Sequence, residues 1–363
     1  MVTIQDVARA AGVSPMTVSN VLNEHNHVRP ATRAKVLKSI DSLGYRVNIA
    51  ARNLRAGRTG TIGFAVPDFD RAYSAEQAAR IVHAAQRRGL RVVVEETGTR
   101  RQDELDAVAL SRVRLYDGLI LSAVGLAAAD LEQFSAGGPV VLLGEQASVS
   151  PIDHVGVPNV AGTRAVVAHL LAIGCRRIAL LGALAADGTE ASRLRIRGYR
   201  EELTTAGHEV DPDLILECAE WSMSSGWEAT TDLIRRGTPF DAIFGLTDSL
   251  ANGALRALAD AGIAVPGAVA VAGFDNIAES RFVVPSLTTL APEHDQIAEM
   301  ALAFLVERIE HGEDAGPGRD VTSDFHLAIR ESTGARDRAD ARIDATCGAA
   351  APSLPDGRHR HRS

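Results

Sequence analysis

Residues 3–23 read Thr3-Ile4-Gln5-Asp6-Val7-Ala8-Arg9-Ala10-Ala11-Gly12-Val13-Ser14-Pro15-Met16-Thr17-Val18-Ser19-Asn20-Val21-Leu22-Asn23. Ile4, Val7 and Ala8 fall on one face at helical spacing. Thr3 followed three residues later by Asp6 has the form of a capping box with Asp in the glutamate's place. Gly12 accepts the positive φ of a tight turn. Ser14 then caps a second helix whose first position is Pro15, where a missing N–H forfeits no bond. Val18, Val21 and Leu22 make its apolar face. Small Ala8, Gly12 and apolar Val18 stand at helix-turn-helix spacing. The small side chain lets two helices cross closely, the glycine turns the chain, and the valine anchors the second helix. A third helix is expected over residues 31–43, with Val36, Leu37, Ile40 and Leu43 inward.

Local charge and a polar outer face (Thr17, Ser19, Asn20, Asn23) together favour a DNA-binding role over an ordinary three-helix bundle, which charge alone does not exclude. Residues 1–60 hold nine basic side chains (Arg9, Arg29, Arg33, Lys35, Lys38, Arg46, Arg52, Arg55, Arg58) and three acidic ones (Asp6, Glu24, Asp41), a formal +6. The other 303 residues hold 29 basic and 43 acidic side chains, a formal −14. A basic head on an acidic body points to a polyanion-binding module joined to something else.

Several classes are set aside by composition. The chain has 363 residues, 46% hydrophobic and 23% charged, so most of it should fold, as two or three units. No run approaches the roughly 20 apolar residues of a membrane helix, and Met1–Asp6 does not resemble a secretory signal. Cys175, Cys218 and Cys347 form neither a disulfide framework nor a CxxC metal pair, so a reduced cytoplasm is the expected setting. GxGxxG, Walker, GxSxG and HExxH patterns are absent. Neither an enzyme, a cofactor nor a metal is expected. His169 reads as a core residue, and His359 and His361 as part of a solvated tail.

From Thr61 short apolar runs alternate with amphipathic helices. Residues 62–66, 91–94, 118–121 and 140–143 read as buried parallel strands, and residues 75–88, 102–114 and 127–136 as helices between them. The cycle restarts at His154 and continues to Phe274. Such alternation means α/β architecture with two parallel sheets. Ligands in these folds sit beyond the carboxyl ends of strands, where Asp68–Tyr73, Ser122, Thr247-Asp248 and Asp275-Asn276 fall.

Residues 3–58 resemble the DNA-binding head of the LacI/GalR transcription regulators. The likeness is carried by Thr3–Ala8, Ala11–Ser14, Thr17–Asn23, Thr32-Arg33, Gly44-Tyr45 and Asn48–Arg55, and it continues to about Thr333. It implies a helix-turn-helix head over residues 1–47 and a hinge helix and linker over 48–60. The body is a periplasmic-binding-protein-like core. Its N-terminal subdomain takes 61–158 and 290–318, and its C-terminal subdomain 159–289 and 319–333. Chain crossings are expected near Pro158, Thr289 and Arg319, with a disordered tail over 334–363.

The resemblance also assigns roles. Pro15, Met16 and Asn20 lie where the family reads base edges. Ser14, Thr17, Ser19, Asn23 and Thr32 lie where it contacts phosphate, and Thr3, Arg29, Tyr45, Asn48 and Ala51 join the DNA-facing set. Hydroxyls and a helix N-terminus suit phosphate. Asn20 suits an adenine edge and Met16 a thymine methyl. Leu54 matches the wedge that enters the minor groove, with Arg52 and Arg55 on adjacent phosphates. Asn20 stands where Arg is frequent, Arg29 where Ser is typical, and Val47 where the family has proline.

In the body Arg195 and Asp275 match ligand-binding positions. For both a ligand role is favoured over a structural ion pair. Asp248 is a further candidate. For Tyr73, Ser122 and Trp221 a ligand role and a packing role both stand. An Arg, an Asp and aromatic faces suit a polyhydroxylated ring. Four cleft-edge positions depart from the family: Arg71–Ser74, Gly144-Glu145, Pro158-Asn159 and Thr247-Asp248. Without leucine heptads a homodimer is expected. The function implied is a cytoplasmic, ligand-responsive regulator, most simply a repressor. It binds a near-palindromic operator and takes a sugar-like effector between its subdomains. A two-lobed solute-binding protein and a sugar-modifying enzyme are the rival readings.

Overall fold

The computed structural model describes residues 2–22, 28–46, 57–112, 115–126, 130, 138–145, 152–183, 189–334 and 341–344. The chain divides into two compact units, Met1–Gly60 and Thr61–Ser363. The expected hinge helix, with Asn48, Ala51, Arg52, Leu54 and Arg55, lies outside the described residues, as do Asn23 and Cys347.

In the first unit, α1 (Ile4–Ala11), α2 (Pro15–Leu22) and α3 (Pro30–Leu43) pack around Val7, Ala8, Val18, Val21 and Val36. The capping box forms in both directions. Asp6 N donates to Thr3 Oγ1 at 3.3 Å, and Thr3 N donates to Asp6 Oδ2 at 3.0 Å. Gly12 ends α1 with φ +66°, which tips α2 across it. Helix α3 starts at Arg29 with no side-chain cap, leaving Pro30 to set the first turn. Two expected core residues face outward: Leu37 is 47% exposed and Leu43 37%. The inward stripe of α3 runs instead through Val36, Ser39 and Ile40. Ser39 is accommodated because its hydroxyl donates to Lys35 O at 3.0 Å. Beyond the Gly44 turn, Tyr45 packs against the same cluster.

The second unit contains two sheets. The first is built from β1 (Thr61–Val66), β2 (Arg91–Glu96), β3 (Leu119–Ala123), β4 (Val140–Gly144), β5 (Asp153–Gly156) and β11 (Asp320–Thr322), in the order β11-β5-β4-β3-β1-β2. All its pairings are parallel. Side-chain alternation along β1 divides its burial between the two faces. Ile62, Phe64 and Val66 meet α4 (Ala72–Arg87) and α10 (His294–His311). Ala65 joins the opposite cluster with Ala107 and Val108 of α5 (Arg101–Arg112).

The second sheet comprises β6 (Ile178–Ala183), β7 (Ile215–Glu217), β8 (Ala242–Gly245), β9 (Ala270–Phe274), β10 (Thr288–Pro292), β12 (Phe325–Ile329) and β13 (Ala341–Asp344), in the order β13-β12-β10-β9-β8-β6-β7. Its helices are α6 (Asn159–Ala172), α7 (Glu190–Thr205), α8 (Met223–Arg236) and α9 (Asp248–Asp260). Helices α8 and α9 cross so closely that a Cβ on Gly253 would stand 2.1 Å from Met223 O. Cys175 and Cys218 are buried in this lobe, and burial pushes both thiols up to about 11.

Three expectations shift. Strand β10 belongs wholly to the second sheet and β11 to the first. The later chain crossings therefore fall at Glu293 and at Ser323-Asp324, four to five residues beyond Thr289 and Arg319. The parallel pattern also ends at β12, which runs antiparallel to β10. Within the tail expected to be disordered, Ala341–Asp344 form an antiparallel strand on β12. The unpaired backbone groups on the far edge of β12 supply the template.

Candidate functional site

The head presents its candidate residues on the outer side of the helix-turn-helix. Ser14 accepts from Thr17 N at 3.2 Å, and the two hydroxyls lie 2.9 Å apart. This caps α2 at its N-terminus, where the backbone dipoles also favour an anion. Thr3, Ser14, Pro15 and Arg29 are exposed, and Thr17, Ser19, Asn20 and Thr32 are half-buried. Met16 is 69% exposed, so its thioether is held out from a helix anchored by Val18 and Val21. Tyr45 contributes to head packing.

The body builds a polar cluster where its two lobes meet. Arg195 on α7 is buried, and each of its nitrogens has an acceptor. Nε donates to Asn159 Oδ1 at 2.7 Å, Nη1 to Leu246 O, and Nη2 to Asp275 Oδ1 at 3.5 Å. Its guanidinium carbon lies 3.6 Å from the centre of the Phe274 ring and 5.3 Å from that of Trp221. Trp221 is fixed by donation from Nε1 to Gly182 O at 2.8 Å. Gly182 has φ +109°, and a Cβ there would meet Leu250 Cδ1 at 2.5 Å. Asn159, the first residue of α6, passes the contact on: its amide nitrogen donates to Glu145, just after β4 in the other lobe.

Asp275 and Asn276 follow β9 with φ of +111° and +52°. Such a backbone is strained for residues with a Cβ and persists only when neighbours hold it. Here they do. Asp275 N donates to Leu290 O at 2.9 Å, and Asn276 N donates to Thr289 Oγ1 at 3.2 Å. Arg330 Nη2 donates to Asn276 Oδ1 at 2.6 Å, and His294 Nε2 to Asp275 O at 2.6 Å. His294 opens α10 of the first lobe and tilts against the Tyr73 ring, centroids 5.6 Å apart. The Tyr73 hydroxyl accepts from Gln77 Nε2 at 3.2 Å.

The electrostatics of the cluster follow from burial. Burial pushes the Asp275 carboxyl up to about 8; Arg195 pulls it back, and Asp248 and Glu145 push it further. Glu145 is also raised by burial, against the opposing effects of Arg195 and Asn159. Burial, then the nearby Asp275 and Glu145, raise the Tyr73 hydroxyl. Burial lowers His294, which favours the neutral ring.

Of the six candidate cleft residues, Arg195, Asp275, Trp221 and Tyr73 come together. Asp248 does not join them. Its Oδ2 accepts from Ile277 N at 3.0 Å and Ser280 Oγ at 2.6 Å, and its Oδ1 accepts from Thr289 Oγ1. It is wholly buried and braces the strained loop that carries Asp275. Ser122, on β3, is half-buried with no hydrogen bond to the cluster among the described residues. Asn159 and Glu145 stood out in the sequence as departures from the family pattern. Phe274 and His294 carried no signal beyond their place beside a strand end or helix start. His169 Nε2 meets Thr333 Oγ1 at 2.9 Å, in keeping with a core role. Among the described residues no group of His, Cys, Asp and Glu is placed to hold a metal, and no helix is long and apolar enough to cross a membrane.

Comparison with known proteins matches both parts of the chain. Residues 3–48 match the model of bacterial regulatory proteins of the lacI family, and residues 167–333 match a periplasmic binding protein-like domain. Catabolite control protein A of Priestia megaterium is 31% identical, over 84% of this chain and 92% of its own length. A lac repressor dimer, solved bound to operator and the anti-inducer ONPF, is similar at TM-score 0.79 and 28% identity; the match covers 92% of this chain and 99% of that one. A complex of the transcriptional regulator CelR with cellobiose is similar at TM-score 0.67 and 29% identity, covering 92% of this chain and all of that one.

Proposed function

The chain belongs to the lacI family of bacterial regulatory proteins, and from that premise we propose that it is a repressor whose grip on operator DNA is set by a small polyhydroxylated effector in the cleft. The observation that carries this reading is the path Arg195–Asn159–Glu145. It makes one hydrogen-bonded chain from the ligand-binding position of one lobe to a strand end of the other. A ligand drawing on Arg195 and Asp275 therefore acts on the lobe-to-lobe contact itself. The family's operator-bound and sugar-bound relatives support the two partner classes.

Two heads, supplied by a homodimer, read the halves of a near-palindromic site. Met16 and Asn20 face base edges, and the Ser14 end of α2 takes a phosphate. The hinge helix, with Leu54 as wedge, forms on the central minor groove. Coupling requires that the effector bind the DNA-competent and DNA-incompetent states unequally, and operator must then alter effector affinity by the same factor.

The test is a titration of labelled operator, first selected from random duplexes with the purified full chain. An inducer weakens binding and a corepressor strengthens it. A cleft ligand that binds without changing DNA affinity overturns the allosteric reading. Operator affinity should also fall steeply with salt through counterion release, and a flat salt dependence would remove the DNA-binding role.

A further inference from the structure

Among the described residues the cleft cluster is short of positive charge. Glu145 and Asp275 approach it from opposite lobes. Among the described residues, Arg195 is the one guanidinium hydrogen-bonded to either carboxylate, and it reaches only Asp275, at the long distance of 3.5 Å. Its other nitrogens are committed to Asn159 and Leu246, and its face to Phe274. Asp275 is 4% exposed, and among the described residues Arg195 donates to its Oδ1 and leaves its Oδ2 open to a ligand. One Glu145 oxygen is taken by Asn159, and the other has no such donor among the described residues.

A hydroxyl brings one proton to such a pair and leaves its charge uncompensated. An ammonium brings three donors and the missing positive charge. An anionic ligand would meet like charge. We propose that the cleft selects an effector with a protonated amine beside vicinal hydroxyls, an amino sugar or similar amino polyol, with Glu145 and Asp275 as its carboxylate partners. Arg195 and the Trp221 ring then serve the hydroxyls and the apolar ring face. The raised carboxyls fit this arrangement: the ligand-free cleft meets the same imbalance by holding a proton on Asp275 and by shifting Glu145 upward.

This rests on reading the cleft as the effector site, and the experiment separates the two. Glucosamine, galactosamine and mannosamine are titrated into the full-length protein beside their parent hexoses and N-acetyl derivatives, by calorimetry at neutral pH. At least one amine should bind about ten-fold tighter than its parent, or ~1.4 kcal/mol. Glu145→Gln should bring that ratio close to one while leaving the ligand-free melting temperature unchanged or raised. A parent or N-acetyl sugar that binds as well as the amine overturns the inference. So does a ratio that survives Glu145→Gln, or failure of every amine to bind. A neutral sugar that shifts operator affinity leaves the regulator reading standing and removes this one. An amine that binds tightly without affecting operator does the reverse.

Discussion

The guanidinium of Arg195 lies 3.6 Å above the centre of the Phe274 ring, at the end of the strand that leads into Asp275. The aromatic face holds the cation flat while its edge meets Asn159, Leu246 and Asp275. Arg195→Met keeps an apolar stem on Phe274 and removes the charge. The carboxyls of Asp275 and Glu145 then lose their shared counter-ion. At pH 8 to 9 the loss should reach about 3–5 kcal/mol, the scale for breaking a buried pair. At pH 5 Asp275, whose carboxyl is pushed up to about 8, takes up a proton, so the loss should shrink. Urea melts at the two pH values provide the measurement, and equal losses would assign Arg195 a packing role.

Asp275 gives the ligand-free protein a pH dependence of definite sign. Its folded value of about 8 lies above the ordinary 3.8. The folded state therefore binds more protons than the unfolded state between those values, and stability falls as pH rises across them. The stabilising share is complete below about pH 4 and gone above about pH 8. Asp275→Asn carries no such proton. Its melting temperature should match the parent's near pH 5, exceed it near pH 8.5, and decline less in between. The raised carboxyls of Asp248 and Glu145 account for the decline that remains.

Burial also raises Asp248, to about 7, but unlike Asp275 it is held by three accepted hydrogen bonds, and these decide the effect of replacing it. Its two oxygens accept from Ile277 N, Ser280 Oγ and Thr289 Oγ1. Asp248→Asn turns an amide NH2 toward one or more of these donors and leaves them unsatisfied in a buried place, at about 1–3 kcal/mol. The strained turn at Asp275-Asn276 loses its brace. Melting temperature should drop, and amide exchange at Ile277 should quicken. Unchanged exchange there would show that Thr289 and Arg330 hold the loop without it.

The head was legible because its signals are local. Thr3 and Asp6, Gly12, and Ser14 with Pro15 each act within a few residues, and the capping geometry follows. Leu37 and Leu43 were misplaced because apolar residues on an exposed helix face mimic a core stripe, while buried Ser39 hides its hydroxyl on Lys35 O. In the body, strand–helix alternation gave the two sheets but not the exact crossings. The sheet that claims β10 or β11 depends on partners far along the chain. The same distance effect decides the site. Asp248 and Asp275 both follow strands of one sheet, yet Thr289, 41 residues beyond Asp248, turns the first carboxylate inward. Nothing near Asp248 in the sequence carries that information.

The head permits a separation of fold from recognition. Ser14 Oγ accepts from Thr17 N at 3.2 Å, so Ser14→Ala removes a helix cap as well as a hydroxyl. The cost should be about 1 kcal/mol in head stability, with weaker binding to all DNA sequences, because a phosphate contact carries no base information. Met16 is 69% exposed and takes no part in the head core. Met16→Ala should leave stability within about 0.5 kcal/mol of the parent and relax the base preference at one position in each half-site, by about 1–3 kcal/mol for a mismatch. Selection from random duplexes with each variant, alongside thermal melts, distinguishes the two. A uniform loss for Met16→Ala with an unchanged selected sequence would move that residue from base edge to backbone. A shifted selected sequence for Ser14→Ala would give the cap a part in reading bases.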